Sequence, residues 1–270
     1  MNASSKSVFW DIINCGIHHF SAPGPCSSVI HSQGGSITDF HVPEPWNGNI
    51  DSARILFVSI NPGYSPDELF PRTGNPYWMS GSEFNTSKVE EYFEHRFDLN
   101  YLKYPMCPYV DYKKGGHAFK IRMENRPPKS VRGFWTYVFK MANTLIPGAD
   151  PVKDFAITEL VHCKSRDTNF ITDACIDQCM MKHFAKVLAQ AKNVEYVVFI
   201  GRSVREKVCS HYGFPKDIVK QKWHITTKLN SRCIKIIFVD HNNARSNKKS
   251  GRKRCCGIPP VPINIPLPII

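Results

Sequence analysis

The sequence predicts an α/β protein, a three-layer α/β/α sandwich around a short parallel sheet. Apolar runs of strand length recur along the chain: RILFVSI (54–60), DFAITELVHC (154–163), EYVVFIG (195–201) and CIKIIFVD (233–240). Segments with helical spacing of apolar residues lie at 131–146, 172–191 and 203–213. Strands that alternate with helices and are apolar on both faces belong in a parallel sheet covered on both sides. Composition agrees: the 270 residues are 42% hydrophobic and 21% charged, enough to form a core and too apolar for a disordered chain. No run of about 18 apolar residues exists to suggest a membrane span.

Residues 1–50, rich in Gly, Pro, Ser and His, read as an irregular segment ending in the turn-prone HVPEPWNGN. The first strand stops at Asn61-Pro62-Gly63, a turn sequence. Residues 64–130 are polar, aromatic and rich in Pro and Gly, and read as an elaborated loop region containing one helix, KVEEYFEHRF (88–97). The pattern then becomes regular. The helix over 131–146 sets Val131, Phe134, Trp135, Val138, Phe139, Ala142 and Leu145 on one face. The next helix, 172–191, has Thr172 or Asp173 as N-cap, and the third ends at Gly213. The main domain is placed at 51–245. Residues 246–270 are placed as a basic, Pro-rich tail, whose end IPPVPINIPLPII is expected to be extended and mobile because its prolines exclude a helix.

The chain carries 35 Lys and Arg against 23 Asp and Glu, a net charge of +12. Between 241 and 270 there is no acidic residue, while Arg245, Lys248, Lys249, Arg252, Lys253 and Arg254 supply half of that net charge. A polyanion, most simply nucleic acid, is the expected partner. A solvated tail, or a nuclear-import signal in KKSGRKR, is the alternative for this cluster. The start, MNASSKSVFWDIINC, has no signal-peptide pattern. An intracellular location is therefore expected, nuclear in a eukaryote and cytoplasmic in a prokaryote, with the ten cysteines as free thiols or metal ligands.

In an open parallel sheet the ligand site lies beyond the carboxyl ends of the strands. The unusual residues stand there: Ser59-Ile60-Asn61-Pro62-Gly63 after the first strand, Glu159 to Lys164 after the second, Gly201-Arg202 after the third, and Asp240-His241-Asn242-Asn243-Ala244-Arg245 after the last. No Gly-x-Gly-x-x-Gly or P-loop follows a strand, which disfavours a nucleotide-binding enzyme.

The ordered set resembles the uracil-DNA glycosylase superfamily, whose enzymes cut the bond between a damaged or wrong base and its sugar. SINPG is similar to the first motif of that family, with Ser59 in place of a Gly. His241-Asn242-Asn243-Ala244 is similar to the last, with Asn242 in place of a Pro. Thr158-Glu159-Leu160-Val161-His162-Cys163, a helix bearing Cys179, and VVFIG stand between them in the family's order. Cys163 and Cys179 are 16 residues apart, as in the iron–sulfur branch. PEPW, GFW and ITELVHCKS look like poorly characterised bacterial members related to it. The likeness covers roughly residues 45 to 245.

The resemblance implies a DNA glycosylase of the base-excision type; a catalytically inactive nucleic-acid-binding module on the same fold is the alternative. It implies that Asn61 positions the attacking water and that His241 stabilises the leaving base. Gly63 stands where strictly uracil-specific members carry a blocking Tyr, which implies room for a larger base. Glu159 replaces an Asn that reads uracil. As an ionised carboxylate it would only accept hydrogen bonds, which implies a preference for another base. Tyr64 is the base-stacking candidate beside Gly63, with Tyr77 and Trp78 further along; Phe134 and Trp135 read as core. Asn243, Arg245, Lys248 and Lys249 are placed against DNA, single- or double-stranded. No cofactor is expected, no membrane, and a monomer. The alternatives are an iron–sulfur cluster on Cys15, Cys26, Cys163 and Cys179, although Cys15 and Cys26 lie 11 residues apart rather than as a tight pair, or zinc on Cys15 with His18 or His19.

Overall fold

The structure, a computed structural model, describes residues 1–21, 24–34, 36–66, 68, 70–98, 109–113, 116–121, 129–131, 134–214, 224–229, 232–240 and 265–266. The chain opens with α1 (Ala3–Ser21) and the short α2 (Ser27–His31). Strand β1 (Ile55–Ser59) is followed by a small hairpin of β2 (Met79–Ser80) and β3 (Glu83–Phe84), then α3 (Thr86–Glu94). A separate three-stranded antiparallel sheet comprises β4 (Tyr109–Lys113), β5 (Gly116–Ile121) and β6 (Lys129–Val131). Helix α4 (Phe134–Leu145) leads to β7 (Phe155–Glu159). Helix α5 (Asp173–Cys179) passes through a π-helical turn, Met180–Phe184, into α6 (Ala185–Gln190). Then come β8 (Tyr196–Ile200), α7 (Arg202–Tyr212), β9 (His224–Leu229), β10 (Arg232–Val239) and the two-residue β11 (Ile265–Pro266).

The central sheet runs β11-β9-β10-β8-β1-β7. β10, β8, β1 and β7 are mutually parallel, whereas β9 is antiparallel to β10. The expected α/β class with a short parallel sheet is borne out in this mostly parallel core. Strand alternation divides its side chains between two apolar clusters. Leu56, Val58, Ala156, Val197 and Phe199 join the larger one, with Phe9, Ile12 and Ile13 of α1, Ile176 of α5, Val187 of α6 and Val208 of α7. Ile55, Phe57, Phe155, Ile157, Val198 and Ile200 join the smaller one, with Val138, Phe139 and Ala142 of α4. Helices therefore cover both faces, an arrangement compatible with three layers.

Several expectations need correction. Residues 1–50 are not irregular throughout: α1 is a 19-residue helix packed into the main core. Its apolar stripe (Val8, Phe9, Ile12, Ile13, Ile17, Phe20) has helical spacing, obscured by the Gly, Pro and Ser that follow. Asn2 Oδ1 accepts from Ser5 N at 3.0 Å, and Ser5 Oγ and Asn2 Nδ2 are bonded to Asp51, which anchors the helix start beside β1. The 64–130 region likewise gives Phe70, Trp78, Val89, Tyr92 and Phe93 to that core, so it is more than an elaborated loop. Val131 falls in β6 rather than on α4. Strand β9 has no counterpart among the expected strands, and Ile265–Pro266 of the tail pairs with it.

Candidate functional site: a cleft at the strand ends and a thiol-lined pocket

Beyond the carboxyl ends of β1, β7 and β8 lies an open cleft of about 350 Å³. Ser59, Ile60, Asn61 and Gly63 form one wall, Ser165 to Thr168 another, and Ile200 to Val204 the third. Chain order reverses across β1, with β7 on one side and the later β8 on the other, and such a switch point is where open α/β sheets bind ligands. The segments after β1 and β7 remain zipped past the sheet: Tyr64 N donates to Ser165 O at 2.8 Å, and Ser165 N to Pro62 O at 3.2 Å. The uncapped first turn of α7 completes the wall, and the partial positive charge of a helix start favours an anion.

Asn61 is fixed through its amide nitrogen, which donates to Ser165 Oγ at 2.7 Å and to Pro62 O at 3.1 Å. That geometry leaves Oδ1 as the group able to accept a hydrogen bond from a ligand or water. Gly63 lines the cleft, and a Cβ built there meets nothing within 4 Å. Tyr64 does not line it; its ring packs edge-on to His41 at 4.9 Å, with the Arg166 guanidinium 6.0 Å away. Trp78 is buried and Tyr77 half-buried under Lys88, while Phe134 and Trp135 pack against the smaller cluster as core residues.

Glu159 sits one layer behind the cleft. It pairs in register with Ser59, and its Oε2 is hydrogen-bonded to the Ser59 hydroxyl. Burial pushes its carboxyl up to about 8, Ser59 and Lys164 counteract in part, and Glu44 adds to the rise. Burial thus favours the protonated form of this carboxyl over the ionised one. The protonated group offers one donor and one acceptor, as an amide does.

Deeper still, Lys164 Nζ bridges Glu44 at 3.0 Å and Glu68 at 3.4 Å, and Arg96 reaches Glu68 at 3.0 Å. All four side chains are at most 5% exposed. Burial alone would raise the Glu44 carboxyl, but Lys164, Arg96 and Asn47 outweigh it and lower it. This network ties PEPW to the segment after β7.

A second pocket lies between α1, the start of α2 and the α5–α6 unit. It is lined by Cys15, Cys26, Cys163 and Cys179, together with His19, His162, Lys182 and His183. Each of the four thiols interacts electrostatically with the other three. Burial holds the Cys163 thiol well above its ordinary range and Cys179 up at about 12. Lys182 Nζ lies 3.2 Å from Cys15 Sγ. His162 Nδ1 faces the Glu44 carbonyl at 2.9 Å, and since a carbonyl only accepts, the proton sits on Nδ1. Its Nε2 and both ring nitrogens of His183 are buried without a hydrogen-bond partner. Burial keeps these two imidazoles neutral, lowered to about 4 and about 3. The π-turn that carries Lys182 and His183 is a feature frequent at functional sites. No group of three or more His, Cys, Asp or Glu side chains among the described residues is arranged to hold a metal ion.

The structure thus brings Asn61 and Gly63 together at the cleft and gathers the four candidate cysteines in one pocket. It places Tyr64 and Glu159 beside or behind the cleft. His241, Asn243, Arg245, Lys248 and Lys249 lie outside the described residues. The preceding strand ends at Val239, whose carbonyl accepts from Gly201 N of the cleft wall at 2.8 Å. Sequence reasoning missed Ser165, Arg166 and Ser203, although the rule that finds Asn61 points to every strand end. It missed His183 as well, although Cys175, Cys179 and His183 recur every four residues on one helical face.

No protein-family model and no curated protein matches the chain. No helix among the described residues is long and apolar enough to cross a membrane.

Proposed function

We propose that the protein is a DNA N-glycosylase with a uracil-DNA glycosylase-like fold, acting on a damaged or mismatched base. The observation that carries this reading is the cleft at the switch point, with Asn61 held by its amide nitrogen and Gly63 opening space beside it. Cleavage of an N-glycosidic bond develops positive charge on the sugar and negative charge on the base. Asn61 Oδ1 orients the attacking water. Being an amide it is a poor base, so the bond to the leaving base breaks largely before water adds. His241, two residues after the strand end at Val239, donates to the leaving base, and the first turn of α7 favours the same anion. The base reaches the cleft by leaving the stack, which costs a few kcal/mol. Arg166, Arg202 and the basic residues from Arg245 onward hold phosphates meanwhile.

Glu159, neutral and bonded to Ser59, orients that hydroxyl at the cleft wall. The same placement favours a second reading, a nucleic-acid-binding module without chemistry, because the carboxyl does not itself line the cleft. The test is a panel of single- and double-stranded oligonucleotides carrying uracil, hypoxanthine, xanthine or mismatched thymine. The first reading expects base release that falls about 10²–10³-fold in His241→Ala and is also lost in Asn61→Ala. Binding without release supports the second reading. Neither binding nor release overturns both.

The thiol pocket is where the alternative to a cofactor-free protein, a metal centre, would sit. Four converging cysteines and buried imidazole nitrogens without partners suit a soft metal centre. The described His, Cys, Asp and Glu side chains are not grouped around a single ion. An iron–sulfur cluster, whose cysteines bind separate irons, is the alternative to weigh. Cys15, Cys26, Cys163 and Cys179 would hold it, clamping α1 to the sheet. A cluster supplies electron-transfer capacity, which base hydrolysis does not require. Iron and sulfide analysis of the purified protein with its visible spectrum tests this, and iron-free, colourless protein after anaerobic reconstitution overturns it.

A further inference from the structure

A fifth cysteine lies behind the four that line the thiol pocket. Cys175, in the first turn of α5, is fully buried, and its Sγ lies 3.1 Å from Cys26 Sγ. Cys26 precedes α2 and lines the pocket; Cys175 does not line it. The two are 149 residues apart in sequence, so their contact is a product of the fold. We propose that Cys26 and Cys175 form a reversible redox pair, a disulfide-forming modification site whose co-reactant is a small hydroperoxide.

Closing the sulfurs from 3.1 Å to a bond of about 2.05 Å requires a shift of about 1 Å. Hydrogen peroxide enters through the pocket, which also reaches the half-exposed Cys15. Cys26 sulfur attacks one peroxide oxygen, the O–O bond breaks, and Cys26 sulfenic acid and one water form. Cys175 sulfur then attacks the Cys26 sulfur. The S–O bond breaks, the departing hydroxide takes the Cys175 proton as a second water, and the S–S bond forms. Two thiols lose two electrons in all, and one peroxide becomes two waters. A dithiol reverses the step by thiol–disulfide exchange. Cys26 in a disulfide is unable to act as a metal ligand, so oxidation and metal loading of the pocket exclude each other. The pair does not depend on what the strand-end cleft does.

The test uses the full chain, stripped of metal with a chelator and treated with about one equivalent of hydrogen peroxide. Cleavage after Phe20 separates Cys15 from Cys26, and cleavage before Asp177 separates Cys175 from Cys179, so mass spectrometry assigns the linked peptides. A Cys26–Cys175 peptide that disappears on reduction with a dithiol is the expected result. In Cys175→Ser that peptide is absent, and Cys26 sulfenic acid accumulates and is captured by a dimedone probe. The proposal is overturned if the linked peptides are mainly those of another cysteine pair, or if Cys26 and Cys175 stay as alkylatable as in untreated protein. Should Cys175→Ser not fold, the wild-type mapping decides alone.

Discussion

Glu159 is buried with a serine hydroxyl as its hydrogen-bond partner, and the cost of ionising it there sets its behaviour. Its folded-state pKa, about 8, lies above the ordinary value of 4.5. The stability it contributes is fully present below pH 4.5 and is lost as pH rises through 8, because the unfolded chain releases its proton first. Glu159→Gln removes this titration. Denaturant unfolding of variant and wild type should diverge with rising pH across that window, by up to about 1.4 kcal/mol per pH unit. Parallel pH profiles would place the carboxyl in water instead. His41 behaves in the opposite sense: burial first, then Lys164 and Arg72, lower it to about 3, so its contribution is present above pH 6.5 and lost on acidification. Gly63 gives a steric prediction. Since a Cβ built there meets nothing within 4 Å, Gly63→Tyr should fold with a Tm close to wild type. On the glycosylase reading it should also reduce release of the larger bases in the panel more than release of uracil.

Helix α1 and the α5–α6 unit are the elements on which the thiol pocket depends. Phe9 is buried against Trp46 and Phe93, with ring centroids 5.5 and 5.4 Å away. Phe9→Ala should cost about 3–5 kcal/mol in denaturant unfolding, with partial release of α1 and faster alkylation of Cys15 and Cys26. The α5 start is capped by Thr172 Oγ1, which accepts from Cys175 N at 3.1 Å. Thr172→Ala should cost about 1 kcal/mol. These two elements differed in how readable they were. The Thr172 cap and the amphipathic stripe beyond it are local patterns, visible in the sequence. The π-turn at Met180–Phe184 is not, because one extra residue in a helical turn changes no apolar spacing strongly enough to see. Its effect is to re-aim Lys182 and His183, and only packing against α1 and the segment after β7 settles that.

Across the whole molecule, half of the net charge lies beyond the last strand of the parallel core, in residues 241–270. If DNA is the partner, replacing Arg245, Lys248 and Lys249 with Ala should flatten the salt dependence of binding. The slope of log K against log salt should become shallower by about 0.9 for each duplex phosphate that is no longer neutralised. An unchanged slope would assign those residues to the solvated tail. Apart from β9, the order of strands and helices from 134 to 240, and the placing of Asn61 and Gly63 at a strand end, were legible in the sequence alone. Apolar periodicity and turn chemistry act between neighbours along the chain, so they can be read there. The protonation of Glu159, the bridging of Glu44 and Glu68 by Lys164, and the meeting of Cys26 with Cys175 were decided only by the tertiary structure. Each joins residues about a hundred or more positions apart, and a buried charge or thiol is governed by the groups that close around it, which no local pattern specifies.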